Sequence, residues 1–202
     1  MKYKIEKEGL NMKNKVIILV IIVVVAIAII GGVLVLNNSS ENNVTEGNNS
    51  SATSLGSVEE VKTLINNIYE KTKIELAALE SREIETADEI PFYTGLKSNE
   101  NVKNVVVSES MMSSIAYSLV VVNVNEDADV EAMKQEMLDN IDTRKWICVE
   151  AETVYVTNHN NTIFLVMASE ELAKPQYDAF KELVGGEIGK ELVRKAEEVT
   201  FE

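Results

Sequence analysis

The sequence of 202 residues contains a single cysteine, Cys148, and a single histidine, His159. One cysteine excludes an internal disulfide, and a zinc site needs three or four ligands of this kind. The pair is also the only thiol nucleophile and imidazole base that the chain offers. Because Cys148 stands beside Trp146 and Ile147, we interpret it as a small buried hydrophobic residue. We interpret His159 as a solvent-facing turn residue, and we expect no catalytic residue, no cofactor and no metal.

Short motifs of known chemistry are missing as well: the chain has no GxSxG, HExxH, GxxxxGK[ST] or GxGxxG pattern. In the run from Asn123 to Asp129 every second residue is Asn or Asp, as in a calcium loop. Such a loop needs glycine at its sixth position and glutamate at its twelfth, where this chain has Ala128 and Lys134. We therefore interpret the run as the solvated start of a helix.

Positive charge is scarce. Lys and Arg number 19 against 33 Asp and Glu, which gives a formal net charge of −14 at pH 7. A surface this acidic repels nucleic acid and anionic lipid headgroups, so nucleic acid is not an expected partner. The acidity keeps a domain soluble, and a capacity for cations or basic partners is the alternative interpretation. No basic residue occurs from Asn37 to Val61.

What the sequence does contain is a long hydrophobic run, Val16 to Leu36, without a charge or a side-chain hydrogen-bonding group. At about 1.5 Å per residue a helix of this length spans roughly 32 Å, the hydrocarbon thickness of a bilayer. Lysines 2, 4, 7, 13 and 15 precede it. By the positive-inside rule, residues 1–15 form a cytoplasmic basic tail and the rest of the chain lies outside the cell membrane. We expect a single-pass anchor whose partner at 16–36 is the lipid bilayer.

Three other interpretations of the run were weighed. A cleaved signal peptide has a shorter apolar core and a small-residue site, whereas Leu36 leads directly into Asn37 and Asn38, so retention is expected and cleavage is the alternative. A lipoprotein needs a cysteine at the end of the run, which Cys148 cannot supply. A pilin leader is excluded by the lysines that precede the run.

The remaining chain divides into a tether and a domain. Residues 37–56 are rich in Asn and Ser, and only Val44, Ala52 and Leu55 are apolar, so this segment cannot form a core. We expect a flexible tether with a root-mean-square reach of about 25 Å. Residues 57–202 are then one extracytoplasmic domain of the α+β class.

Hydrophobic periodicity predicts the element order α-β-β-α-β-β-α in this domain. A capping box at Ser57 begins a helix that runs to about residue 80, followed by an acidic loop to Glu89 and a packed turn at 91–96. Two hairpins and two further helices follow. The hairpins pair 102–108 with 114–124 and 153–158 with 162–168, a helix covers 130–141, and Pro175 opens a helix that Gly185 and Gly186 interrupt before a last helical piece at 188–193. We expect a small antiparallel sheet of two hairpins with helices packed on one face.

Met111 and Met112 lie between the first two predicted strands and are the candidate partner contacts. Their flexible, polarisable side chains suit a surface that adapts to another protein. The alternative is a loop packed onto the core.

The stretch from Tyr93-Thr94-Gly95-Leu96 to about Val184 resembles an uncharacterised family of small extracytoplasmic domains, often lipoproteins, of clostridia-like, low-GC Gram-positive bacteria. The resemblance rests on the aromatic-x-Gly-hydrophobic start, the apolar strand, the helix that ends near Arg144 and the strand at 162–168 before a final helix. It covers under half of the chain and implies a compartment and an α+β fold, but no activity. The chain departs from the family in having a spanning run in place of a lipid-modified cysteine.

Together these features predict a membrane-anchored extracytoplasmic module that binds or scaffolds an envelope protein or a cell-wall component without catalysis. One alternative is a cell-wall-directed hydrolase that acts through carboxylates. Another is an extracellular accessory or sensor subunit of a membrane complex, although fifteen cytoplasmic residues are too few for an output domain.

Overall fold

The structure is a computed structural model that describes residues 55–196. The predicted basic tail at 1–15, the predicted membrane helix at 16–36 and all but the last two residues of the predicted tether lie outside the described residues. Among the residues that are described, no helix has the length and apolar character needed to cross a membrane.

Residues 55–196 form an α+β domain around one six-stranded antiparallel sheet, which confirms the predicted fold class. The strands are β1 (Leu79–Glu83), β2 (Val102–Ser110), β3 (Ser118–Val124), β4 (Thr153–His159), β5 (Thr162–Ala168) and β6 (Leu192–Lys195). The helices are α1 (Val58–Thr72), α2 (Ile90–Thr94), α3 (Val130–Asn140) and α4 (Glu170–Leu183), with a short 3-10 helix at Ala87–Glu89. Across the sheet the strands lie in the order β1-β2-β3-β5-β4-β6.

Both predicted hairpins are confirmed, since β2 pairs with β3 and β4 pairs with β5. The turn of the second hairpin holds Asn160 at φ 49°, a left-handed conformation that asparagine tolerates better than most residues. β3 also pairs with β5, so the two hairpins form one continuous sheet.

Helices cover both faces of the sheet, and the expectation of helices on one face is wrong. Helices α1 and α4 pack on the face that carries Leu119 and Val121, whereas α2 and α3 pack on the face that carries Val120 and Val122. A strand covered on one side alternates apolar and polar residues, but β3 (SLVVVNV) is buried at every position. The missing alternation in β3 was the sequence signal for a sheet covered on both sides.

The edge strands β1 and β6 were not predicted. The residue pattern predicts the end of a helix and a loop where β1 forms, and a helical piece where β6 forms; both predictions are wrong. Edge strands pair on one side only and are short, so they carry little hydrophobic alternation. Helix α1 ends at Thr72 instead of residue 80 because Lys73 adopts φ 52° and its amide donates to the Tyr69 carbonyl.

The last helix differs from its prediction at its start. It begins at Glu170, where the Ala173 amide donates to the Ser169 carbonyl at 2.9 Å, and it carries Pro175 inside it. Its predicted interruption is confirmed, since the helix ends at Leu183 and one residue, Val184, separates it from a left-handed Gly-Gly pair.

The run from Asn123 to Asp129, which resembles a calcium loop in sequence, covers the end of β3 and the cap of α3. Asn123 lies inside β3, and the Asp129 side chain accepts the amide of Ala132 at 3.0 Å. Asp129 therefore caps α3, as the helix interpretation predicts.

The first described residues, Leu55 and Gly56, contact the sheet where β2 begins and β3 ends. Asn123 Nδ2 donates to the Leu55 carbonyl at 2.5 Å, and Asn104 Nδ2 donates to the Gly56 carbonyl at 3.2 Å. Asn123 Oδ1 accepts the Thr162 hydroxyl at 2.8 Å, so this buried amide is fully engaged. We call this end of the sheet, defined by Leu55 and Gly56, the tether end.

Substitution of Gly95 tests how closely α2 packs on α3. It follows α2 with φ 77°, and a Cβ added there would lie 2.7 Å from Ile141 N and 2.8 Å from Met137 O. Gly95→Ala combines a strained conformation with a backbone clash, so we expect the free energy of unfolding to fall by more than about 2 kcal/mol. Denaturant unfolding of the full chain in micelles, followed by fluorescence of Trp146, measures the change.

Gly186→Ala is the matched control, because Gly186 has φ 79° with nothing within 4 Å of the added Cβ. It introduces the backbone strain alone and should cost about 1 kcal/mol. Equal losses in the two variants would contradict the close approach of α2 to α3.

Candidate functional site

The end of the sheet opposite the tether end carries exposed hydrophobic side chains. Phe92 of α2 is 50 % exposed, Met111 and Met112 after β2 are 68 % and 45 % exposed, and Ile147 in the loop after α3 is 69 % exposed. We call these four residues, which belong to three separate segments of the chain, the apolar end. The methionines are thus exposed to solvent, and the alternative of a loop packed onto the core is wrong for them.

Backbone hydrogen bonds hold the segments of the apolar end beside one another. The Met111 amide donates to the Ala78 carbonyl at 3.0 Å, which ties the loop after β2 to the start of β1. The Ile147 amide donates to the Ser113 carbonyl at 3.3 Å, which joins the loop after α3 to the same loop. Ile147 and the methionines therefore lie on adjacent stretches of backbone.

Lys145, in the loop after α3, contacts α2, the end of β2 and the start of β3. Its side chain is 2 % exposed, and Nζ lies 2.6 Å from Glu109 Oε1 and 3.4 Å from Ser118 Oγ. The ring centroids of Phe92, Tyr93 and Trp146 lie 5.1, 4.9 and 5.3 Å from Nζ. The ammonium is thus surrounded by one carboxylate, one hydroxyl and three aromatic rings, each of which attracts a cation.

The enclosure of the Lys145 side chain, and not the pKa of its ammonium, argues against a role as a nucleophile. Burial lowers the pKa of the Lys145 ammonium, although the neighbouring Glu109 carboxylate acts in the opposite direction. Glu109 Oε1 is itself buried and forms an ion pair with the Lys145 ammonium. Because Nζ is almost completely enclosed, its role is to hold the segments together.

Tyr93 contacts a second cation, Arg82. Arg82 of β1 donates to the Tyr93 hydroxyl at 2.6 Å, and its guanidinium carbon lies 4.9 Å from the centre of the same ring. It also pairs with Glu89 at 3.4 Å. Tyr93 is therefore held between Lys145 and Arg82, which anchors the short helix α2 and its exposed Phe92.

A cavity of about 250 Å³ lies beside the apolar end and is lined by Arg144, Trp146, Cys148, Val149 and Glu150. Trp146 is half-buried and packs against the core as well as lining this cavity. Cys148 is exposed at φ 62°, so its interpretation as a buried hydrophobic residue is wrong. Trp146 and Ile147, its apolar neighbours in the sequence, are partly or largely exposed because this segment is a loop that crosses the end of the sheet.

His159 also differs from its prediction. It is the last residue of β4 and is 6 % exposed, and its Nδ1 lies 2.6 Å from the Glu187 carbonyl, which assigns the proton of that contact to Nδ1. Its Nε2 faces Asn160 Nδ2 at 3.0 Å. Cys148 precedes the opposite end of β4, roughly 20 Å away at 3.3 Å per residue, so the thiol and the imidazole do not form a catalytic pair.

The described residues contain a second cluster of titratable side chains, on the α4 face of the sheet. Tyr155 and Tyr177 stack with ring centroids 4.7 Å apart, and their hydroxyls donate to Glu170 and Glu191, each at 2.6 Å. These hydrogen bonds are the main cause that lowers the pKa of the Glu170 and Glu191 carboxyls. Burial is the main cause that raises the pKa of both tyrosines. A carboxyl with a lowered pKa is a poor general acid, so the cluster does not favour a hydrolase.

Within residues 55–196, no group of three or more His, Cys, Asp or Glu side chains is arranged to hold a metal ion. No family model, no curated protein and no solved structure matches the chain.

Lys145 gives the first test of the site. Lys145→Met leaves the Glu109 carboxylate partly buried without its cation, so we expect the free energy of unfolding to fall by about 2–4 kcal/mol. Lys145→Met combined with Glu109→Met removes the unpaired charge and should recover most of that loss. Denaturant unfolding followed by Trp146 fluorescence measures all three proteins.

The control is Lys62→Met, which removes an ion pair with Glu59 in which the side chains are 34 % and 85 % exposed. That change should cost less than about 0.5 kcal/mol. If Lys145→Met costs as little, the ammonium does not hold the apolar end together.

The tyrosine–glutamate cluster predicts a specific dependence on pH. Because the pKa of Glu170 is lowered on folding, its contribution to stability is present above its unfolded value near 4.5 and is lost as the pH falls through the folded value. Tyr155→Phe removes the hydrogen bond that causes this shift. We therefore expect Tyr155→Phe to destabilise the protein more at pH 7 than at pH 3, measured by denaturant unfolding at each pH.

Tyr69→Phe is the control, since the Tyr69 hydroxyl meets that of Tyr117 at 3.3 Å and no carboxylate. Its destabilisation should be the same at both pH values. A Tyr155→Phe effect that is independent of pH would show that Glu170 gains nothing from the bond.

Proposed function

We propose that the chain is a single-pass membrane protein whose extracytoplasmic domain binds another envelope protein through the apolar end, without catalysis. Residues 16–36 would anchor it, with the amino terminus in the cytoplasm and residues 57–202 outside. The observation that carries the proposal is the gathering of Phe92, Met111, Met112 and Ile147, which are large and exposed, at one end of an otherwise well-packed domain. Contiguous apolar side chains on a soluble domain are typical of interaction sites.

The position of the apolar end supports this function. The tether end and the apolar end lie at opposite ends of β2, a strand of nine residues that spans about 30 Å. A domain held to a membrane through Leu55 would therefore be able to turn its apolar end away from the anchor and toward a partner.

The side chains at the apolar end favour a protein over a glycan as the partner. Methionine, phenylalanine and isoleucine offer no hydrogen bonds to sugar hydroxyls, whereas methionine adapts well to the side chains of another protein. The carboxylates of Glu170 and Glu191, whose pKa is lowered, accept hydrogen bonds from tyrosine hydroxyls, and this favours binding over hydrolysis.

Cys148 provides a direct test of the proposed topology, because it is exposed and is the only cysteine of the chain. A membrane-impermeant maleimide should label the native protein on intact cells. The variant Cys148→Ser/Asn14→Cys moves the thiol to the basic tail and should be labelled only after the membrane is opened. Labelling of Cys148 that requires opened membranes would overturn the topology.

Photo-crosslinking tests the proposed contact. A photoreactive residue in place of Met111 should give an adduct with a defined protein in intact cells. The control places it at Val193, a 47 % exposed residue of the edge strand β6, and should give no such adduct. The same adduct from both positions, or none from Met111, would contradict docking at the apolar end.

A further inference from the structure

We infer that the apolar end takes a basic amphipathic segment of its partner, in which apolar side chains cover Met111 and Met112 and a Lys or Arg pairs with Glu80. This inference rests on the proposed function and adds the chemical class of the partner. It follows from the charges that border the apolar end.

The cations at the border are already paired within the chain. Lys145 contacts Glu109 at 2.6 Å, and Arg82 contacts Glu89 at 3.4 Å. Arg144, the most exposed of the three cations, contacts Glu150 at 3.3 Å. A partner therefore meets no free positive charge among these residues.

Glu80 is an exposed carboxylate at this border. It lies directly opposite Glu109 in the pairing of β1 with β2, two residues after Ala78, whose carbonyl accepts the Met111 amide, and its side chain is exposed. None of the ion pairs within residues 55–196 involves Glu80. Two glutamates at opposed positions repel each other, and Lys145 neutralises only Glu109. A cation from outside would relieve that repulsion.

The charge of the whole domain acts in the same direction. Residues 55–196 hold 14 Lys and Arg against 26 Asp and Glu, so their field attracts a basic segment and repels an acidic one. The same field disfavours a second copy of this chain as the occupant, because both domains are acidic. Glu80 of one copy would face the negatively charged border of the other. It disfavours an anionic membrane surface as well.

The test uses the full chain in nanodiscs of zwitterionic lipid and two synthetic peptides without tryptophan. The peptides share one helical apolar face of leucines and carry either lysines or glutamates on the other face. Trp146, the only tryptophan of the chain, lies beside the apolar end and reports binding by its fluorescence. We expect the lysine peptide to shift the Trp146 emission and the glutamate peptide to leave it unchanged.

Variants locate the binding. Met111→Ser/Met112→Ser should weaken binding of the lysine peptide by about tenfold or more, and Val193→Ser should leave it unchanged. Glu80→Gln should weaken it about threefold. Its control, Glu126→Gln, removes an exposed carboxylate near the tether end, alters the net charge equally and should have no effect.

Each result decides between the two proposals. Equal binding of both peptides, or equal effects of Glu80→Gln and Glu126→Gln, overturns the basic partner and leaves docking at the apolar end intact. Binding of neither peptide also overturns the basic partner. A photo-crosslinked product of twice the chain mass from position 111 identifies a second copy as the occupant and overturns the inference, whereas the absence of any product from position 111 overturns the proposed function itself.

Discussion

The buried ammonium of Lys145 determines the shape of the apolar end, because three segments that are distant in sequence meet at this one group. Glu109 and Ser118 come from the sheet, Phe92 and Tyr93 from α2, and Trp146 from the loop after α3. A buried charge is stable only where a partner and polarisable groups surround it, so the loop closes in the single position that supplies them. The same closure leaves the hydrophobic side chains of Phe92 and Ile147 on the outside.

Helices cover both faces of the sheet, and this explains why the exposed apolar side chains lie at one end of the strands. Both faces are occupied by helices, and the edges are the short strands β1 and β6, which carry charged residues. The tether end is taken by Leu55 and Gly56, which bond to Asn123 and Asn104. Neither the helices on the two faces nor Leu55 and Gly56 cover the four side chains of the apolar end.

The elements that local sequence signals determine could be predicted, whereas the elements that depend on long-range contacts could not. The capping box at Ser57, the paired asparagines of the second hairpin and the Asp129 cap act within a few residues, and each is confirmed. The edge strands could not be predicted, since their pairing partners supply the stability that their own residues lack. Burial of His159, exposure of Cys148 and enclosure of Lys145 likewise depend on groups that are distant in sequence. Met111 and Met112 were identified from sequence as candidates, but Lys145 was not.

Strand β3 connects the two ends that matter to the proposed function. Asn123 near its carboxyl end holds the point where the chain joins the sheet, and Ser118 at its other end contacts Lys145. These residues lie in a strand that is buried throughout, so the distance from Asn123 to Ser118 is fixed at roughly 17 Å along β3. In the proposed topology, a tether with a reach of about 25 Å adds to this distance, and repulsion between an acidic domain and anionic headgroups keeps the domain off the bilayer. A basic segment of a partner that lies a few tens of Å outside the membrane is then within reach, and the acidic field that repels the lipid surface attracts that segment.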